Sequence, residues 1–283
     1  MKLVSFNGAG ANGWGVVTSS GVVDMSRRLD DRYPTLRSAL AANRLSEIGD
    51  EAERASPDFA LSDVQRLPPI PDPEKIICIG LNYRAHVGEG GGAVSKYPSL
   101  FTRFANTLVA HDAPMIVPRV SSELDYECEL ALVIGRPGRH IHPSKALQHV
   151  AGYTCFNDGS VRDYQTAHSL PAGKNFVATA GCGPWLVTSD EILDPGRLSL
   201  RTVLNGVEVQ HGNTSDLIFD IATIIAYVSG FTPLVPGDII STGTPEGVGF
   251  LRKPPLWLKP GDVVEVEVEG VGVLRNLVEA EAD

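Results

Sequence analysis

The segment LDYECELALVIG, residues 124–135, constrains the fold of this chain more than any other. Its apolar residues recur with a period of two, the period of a β-strand. Tyr126, Cys128, Leu130, Leu132 and Ile134 then share one face. Asp125, Glu127 and Glu129 share the other, spaced about 6.6 Å apart along the strand, and Ala131 and Val133 continue that face as apolar surface. On this pattern the acid-bearing face is half buried. Like charges in such a place are costly unless a cation neutralises them. A fold that contains this strand has to supply the neutraliser.

A chain of 283 residues makes one large or two smaller domains and can bury a substantial core. The formal net charge of −10 argues against nucleic acid as a partner, because phosphate binding needs a basic surface. It leaves an anionic substrate open, since a metal ion and a few local cations override net charge. Cys78, Cys128, Cys155 and Cys182 form no C-x-x-C pair and sit in apolar or Gly-rich contexts, as reduced thiols in a cytoplasmic protein do. The N-terminus lacks the apolar run of a signal peptide, and no stretch approaches 18 apolar residues, so neither secretion nor a membrane span is expected.

Residues 2–6 and 14–24 read as short strands, followed by a helical stretch from Thr35 to Arg54 with Leu36, Leu40, Leu45 and Ile48 as its apolar stripe. RLPPIPDPEK, residues 66–75, is stiff and extended, and divides a small N-terminal α+β module (1–70) from a larger domain (71–283). In the larger part KIICIGLNY reads as a strand and Asn205-Gly206 as a hairpin turn. Pro-Gly-Asp precedes a β-branched run twice, at 236–238 and 260–262. Helices are expected at 143–150 and 215–230, the latter with Ser215 as N-cap. Strand–helix alternation is too irregular for a doubly wound sheet, so a mainly β core with peripheral helices is expected. GAGANG, residues 8–13, matches a dinucleotide-binding motif, but the residues after it read as a returning strand instead of the helix that motif needs.

A further acid, Asp158, ends another apolar segment, AGYTCFNDGSVRD. Two or three carboxylates converging from strand ends make an oxygen-only site, suited to Mg²⁺, Mn²⁺ or Ca²⁺. Zinc fits less well, because no His or Cys stands at ligand spacing nearby.

The motifs GLNYRAH, DYECELALVIG, AGYTCFNDGSVRDYQ, GKNF, LNGVEVQHGNT, PGDIISTGTPEGVG and LKPGDVVEVEVEGVG occur in this order over residues 73–277. In that they resemble the fumarylacetoacetate hydrolase family. The resemblance implies a mixed β-sandwich roll, a divalent metal, a homodimer, and chemistry on small anionic 2-oxo or 1,3-dicarbonyl acids. It places the metal ligands at Glu127, Glu129 and Asp158, with Asp125 matching an acid that is not normally a ligand. Lys174 matches an active-site lysine, and His86 and Glu89 match a His–Glu dyad on a mobile lid. Arg162, Gln165 and Thr244 match substrate-binding positions, while Asp163 could equally be a structural partner. AHSLPAG before Lys174 and NFVATAGCGPW from Asn175 depart from common family patterns, which leaves the identity of the substrate open.

The activity this implies is metal-dependent hydrolysis of a C–C bond in an acylpyruvate- or fumarylpyruvate-like acid, in catabolism. His86 takes a proton from water, and the metal and Lys174 stabilise the departing enolate. The alternative is an isomerase or decarboxylase acting on a 2-oxo or 2-hydroxy dienedioate through the same enolate.

Overall fold

The computed structural model describes residues 1–8, 10–29 and 32–282. Its centre is the strand Cys128–Ile134, in which all seven residues are buried. Cys128, Leu130, Leu132 and Ile134 enter one core, shared with Leu200, Val266, Leu274 and the helix Ile221–Phe231. Ala131 and Val133 enter a second, shared with Leu3, Trp14, Phe156, Leu186 and the helices near residues 36–52. The period-two pattern therefore separates two cores. The acid-bearing face, expected to be half buried, is buried outright: Asp125 is 0%, Glu127 7% and Glu129 1% exposed.

Two large sheets pack to give a mainly β, α+β roll, and among the described residues Leu124–Asp125 and Ser160–Val161 form a third, two-stranded sheet. Among the described residues the larger sheet has eleven strands. Its main path runs from Gly21–Asp24 through Ala11–Thr18, Lys2–Gly8, Ala180–Thr188, Val150–Asp158, Cys128–Ile134, Ile239–Ser241 and Ile76–Gly80 to Ser99–Arg103. The smaller has five, with Ser199–Leu204, Val263–Val268 and Gly272–Ala280 at its centre. The N-terminal strands extend the larger sheet, because Lys2 and Leu3 pair with Val187 and Leu186. Gln65–Arg66 then pairs back onto the Lys2–Gly8 strand, and Ile70 is buried in the second core.

Local sequence signals explain most elements. Asn205 and Gly206 take φ of 51° and 81°, as a tight hairpin between Ser199–Leu204 and Val207–Asn213 requires. Gly8 pairs with Ala11 across a hairpin and no helix opens at Gly13, so GAGANG is a turn; its Ala9 lies outside the described residues. The helical stretch 35–54 is two helices, Leu36–Ala41 and Leu45–Arg54, because Asn43 turns the chain at φ 54°. Thr35 and Ser38 form a capping box, and Leu36, Leu40 and Ile48 are buried as the stripe requires. Pro143–His149 is a 3-10 segment. The cap of the Ile221–Phe231 helix is Asp220, which accepts the Thr223 N–H at 2.8 Å, and not Ser215. Ser215 lies instead inside a separate 3-10 turn, Thr214–Asp216, capped by Asn213, after which Leu217 bridges to Tyr83. Among the described residues no helix is long and apolar enough to cross a membrane.

Leu132→Ala empties a fully buried position and should lower the unfolding free energy by about 2–5 kcal/mol. Val273→Ala, at a position 38% exposed, should change it by less than about 0.5 kcal/mol. Urea denaturation of the two variants checks this; equal losses would contradict the placement of Leu132.

Candidate active site

Antiparallel pairing creates the acid cluster. Cys128 pairs with Asn157, so the chain before Cys128 and the end of Val150–Asp158 meet. Asn157 accepts the Glu127 N–H at 3.0 Å, and Asp158 N–H donates to the Glu127 carbonyl at 2.9 Å. Carboxylate oxygens of Glu127, Glu129 and Asp158 lie within 4.8 Å of one another, all buried. Glu129 accepts the Gly243 N–H at 2.9 Å and the Ser241 hydroxyl.

Three buried cations surround the acids. Lys174 ends the short helix Leu170–Lys174, which crosses Arg162–Ala167 at Gly173; a Cβ at residue 173 would meet Gln165 Cβ at 2.5 Å, so only glycine permits this approach. Lys174 Nζ stands 2.7 Å from Glu127 Oε2 and 2.5 Å from Asp158 Oδ2. Arg162 donates to Glu127 Oε1 at 2.6 Å, Asp125 Oδ2 at 2.8 Å and Gln165 Oε1 at 2.9 Å. Arg103 donates to Asp158 Oδ1 at 2.5 Å and also to Gly159 O and Thr179 Oγ1. The sequence reading missed Arg103. Its signal is a basic residue two positions after Phe101 in an otherwise half-apolar strand, on the same face.

These partners fix the protonation states. Burial pushes Glu129 well above the usual carboxylate range, and Asp158 and Glu127 add to that push. Burial acts the same way on Glu127, but Lys174 and Arg162 outweigh it and hold the group well below its ordinary value. Burial alone would lower Lys174; Asp158 and Glu127 hold it above its ordinary value, so it is an ammonium. Asp125 accepts N–H groups from Tyr126, Gly249 and Phe250 besides Arg162, which fills both its oxygens. What sets Glu127, Glu129 and Asp158 apart from Asp125 is their mutual approach: among the described residues these three acids have oxygens within 4.8 Å of one another. They are hard oxygen donors, close together and tied to fixed partners, and so fit a divalent cation of the Mg²⁺, Mn²⁺ or Ca²⁺ type. With all four acids ionised, they exceed the three cations by one negative charge; a divalent ion would reverse the sign to one positive.

His86 and Glu89 share the helix Arg84–Glu89, with His86 Nδ1 3.3 Å from Glu89 Oε2. Each Glu89 oxygen accepts the Gly247 N–H at 3.1 Å. Thr244 Oγ1 accepts Gln210 Nε2 at 2.9 Å, which leaves its own O–H able to donate. Asp163 accepts the Ser121 hydroxyl at 2.7 Å.

A buried carboxylate cluster with an attendant lysine, on a mainly β roll, defines an enzyme class with a hard-cation site. Residues 75–279 match the fumarylacetoacetate hydrolase C-terminal family, and the chain belongs to that family. It is 43% identical over 225 residues to the human mitochondrial oxaloacetate tautomerase FAHD2A, covering 78% of this chain and 72% of that protein. A 5-carboxymethyl-2-hydroxymuconate delta-isomerase from Mycobacterium smegmatis superposes over the whole of both chains, with a TM-score of 0.79 and 30% identity. So does a maleylpyruvate hydrolase from Sphingobium sp. SYK-6, solved with manganese(II) and pyruvate, with a TM-score of 0.83 and 26% identity. Family members thus include hydrolases, isomerases and tautomerases.

Calorimetry should find one Mn²⁺ per chain. Glu129→Gln should weaken it by more than about a hundredfold and Asp125→Asn by less than that, since outer partners typically cost about 10–100-fold. Equal losses would make Asp125 a ligand. Because Glu129 holds its proton to higher pH than usual, metal must displace that proton, so affinity should fall as the pH falls and binding should release protons. Binding heats that do not vary with the ionisation enthalpy of the buffer would contradict this.

Proposed function

We propose that the protein interconverts the keto and enol forms of a small anionic 2-oxo acid, with oxaloacetate the first substrate to test, in a reaction that depends on Mg²⁺ or Mn²⁺. The observation that carries this reading is the pairing of a cation-rich three-carboxylate site with a His–Glu dyad. Enolisation needs one group that moves a proton and positive charge where the enolate develops. The 43% identity to an oxaloacetate tautomerase supports the choice of substrate.

Glu127, Glu129 and Asp158 would hold the metal, which when bound supplies Lewis acidity to the 2-oxo carbonyl. Glu89, held by the Gly247 N–H, accepts His86 Nδ1–H and turns the ring. Nε2 is then free to take the proton from the carbon beside the carbonyl and return it to either end of the enolate. The Lys174 ammonium, held charged by Glu127 and Asp158, offsets the developing negative charge. Thr244 O–H and the Gln165 side-chain amide are donors for the substrate carboxylate.

A second reading keeps C–C hydrolysis of an acylpyruvate. It is favoured by the same dyad, which can deprotonate a water as readily as a carbon, and by the likeness to a maleylpyruvate hydrolase. As for assembly, we propose a homodimer, and sedimentation should give twice the chain mass; a single-chain species alone at micromolar concentration would refute it.

Enol-oxaloacetate and a panel of acylpyruvates separate the two reactions. The expected outcome is metal-dependent decay of the oxaloacetate enol band, without release of pyruvate from any acylpyruvate. Pyruvate release would establish the hydrolase reading in its place. His86→Ala should slow the reaction about 10²–10⁴-fold while Mn²⁺ affinity stays near that of the parent. An undiminished rate would remove His86 from the chemistry.

A further inference from the structure

We infer that Asp125 is a positioning residue that joins the seating of the His86–Glu89 helix to the three-carboxylate site; the inference rests on the proposed reading of that site as a proton-transfer centre. Asp125 is fully buried, yet it is not one of the three clustered acids. One side of it holds Arg162, at 2.8 Å through Nε and 2.7 Å through Nη2, and Arg162 passes on to Glu127 at 2.6 Å. Its other side holds a turn: Gly249 N–H at 2.8 Å and Phe250 N–H at 3.0 Å.

That turn begins at Gly247, whose N–H is the group both Glu89 oxygens accept. The Glu89 and Asp125 carboxylates thus grip the same turn, two residues apart. The turn has little freedom between them. The Gly247 carbonyl accepts Tyr126 O–H at 3.3 Å and Arg252 Nε at 3.2 Å. A Cβ at residue 249 would stand 1.9 Å from Leu256 O and 2.5 Å from Asp125 Oδ1, so the backbone lies directly on the carboxylate. The Phe250 ring also lies 5.6 Å from the Arg162 guanidinium. A continuous run of hydrogen bonds and backbone therefore leads from Glu89 through Gly247, Gly249 and Asp125 to Arg162 and Glu127.

The consequence is specific. Neutralising Asp125 leaves Arg162 with Glu127 as its one carboxylate partner and removes the anchor of the turn. Glu89 then loses the fixed N–H that sets the His86 ring. Glu127, Glu129, Asp158 and Lys174 are themselves unchanged, so at saturating metal the loss falls mainly on kcat.

The test is a double-mutant cycle on kcat with Asp125→Asn, Glu89→Gln and the pair. Each single change should lower kcat about 10–100-fold, with KM within about threefold, and the double variant should be no worse than about threefold below the weaker single. Losses that multiply, or a loss carried mainly by KM, would overturn the inference. A second measurement uses the parent protein and needs neither turnover nor a folded variant. Adding Mn²⁺ should slow hydrogen exchange at the Gly247 amide and at residues 87–90, which lie outside the metal cluster. Slowed exchange without oxaloacetate turnover would keep the coupling and reject the reaction assigned above. Unchanged exchange at these amides, in protein shown to bind Mn²⁺, would reject the coupling itself.

Discussion

The structure turns on one arrangement: Lys174 placed between Glu127 and Asp158, with an arginine on the far side of each acid. Buried charges carry a desolvation cost of several kcal/mol per ion, which pairing offsets only when geometry is good. Here each cation has at least two oxygen partners, and each clustered acid is held by fixed donors. Apolar residues of similar size would fill the same space at less cost. Lys174 holds one oxygen of Glu127 and one of Asp158, so a divalent ion on these acids would share those oxygens with its ammonium or displace it, while the two arginines keep the acids ionised.

Much of the fold serves to build that cage from distant parts of the chain. Asp158 and Arg103 are 55 positions apart, and Glu127 and Lys174 are 47 apart. The Cys128–Ile134 strand fixes Glu129, its antiparallel neighbour brings Asp158, and the crossing of two short helices at Gly173 brings Lys174. The N-terminal strands and helices place Leu3, Trp14, Leu36 and Leu40 in one core with Ala131 and Val133, the apolar continuation of the acid-bearing face.

Legibility in the sequence followed the range of the interactions. Period-two alternation marked Glu127 and Glu129 and the two cores they border, because a strand's faces are a local property. The Asn205-Gly206 hairpin was legible for the same reason. Spacing could not separate Asp125 from the two glutamates. It sits in the short strand Leu124–Asp125, which pairs with Ser160–Val161, and the ladder is interrupted before Cys128. Lys174 and His86 were marked only through family resemblance; by local pattern they are a lysine beside a glycine and a histidine before a Gly-rich run. Arg103 escaped both, since its partner Asp158 is brought to it by sheet pairing. Ser215 was mistaken for a cap because Ser215 and Asp220 are both good cap residues; Ser215 is taken up by the 3-10 turn Thr214–Asp216, and Leu217, just after it, bridges to Tyr83, which is distant in sequence.

The central claim is that Glu127, Glu129 and Asp158 form the metal site while Arg103 and Arg162 stay on their carboxylates. Anomalous diffraction from crystals grown with Mn²⁺ and oxalate tests it most directly. The account predicts a single manganese peak bonded to those three carboxylates, with Arg103 still on Asp158 and Asp125 still on Arg162 and the 249–250 turn. A peak on Asp125 or His86, or manganese bound only after Arg103 or Arg162 has left its carboxylate, would contradict it.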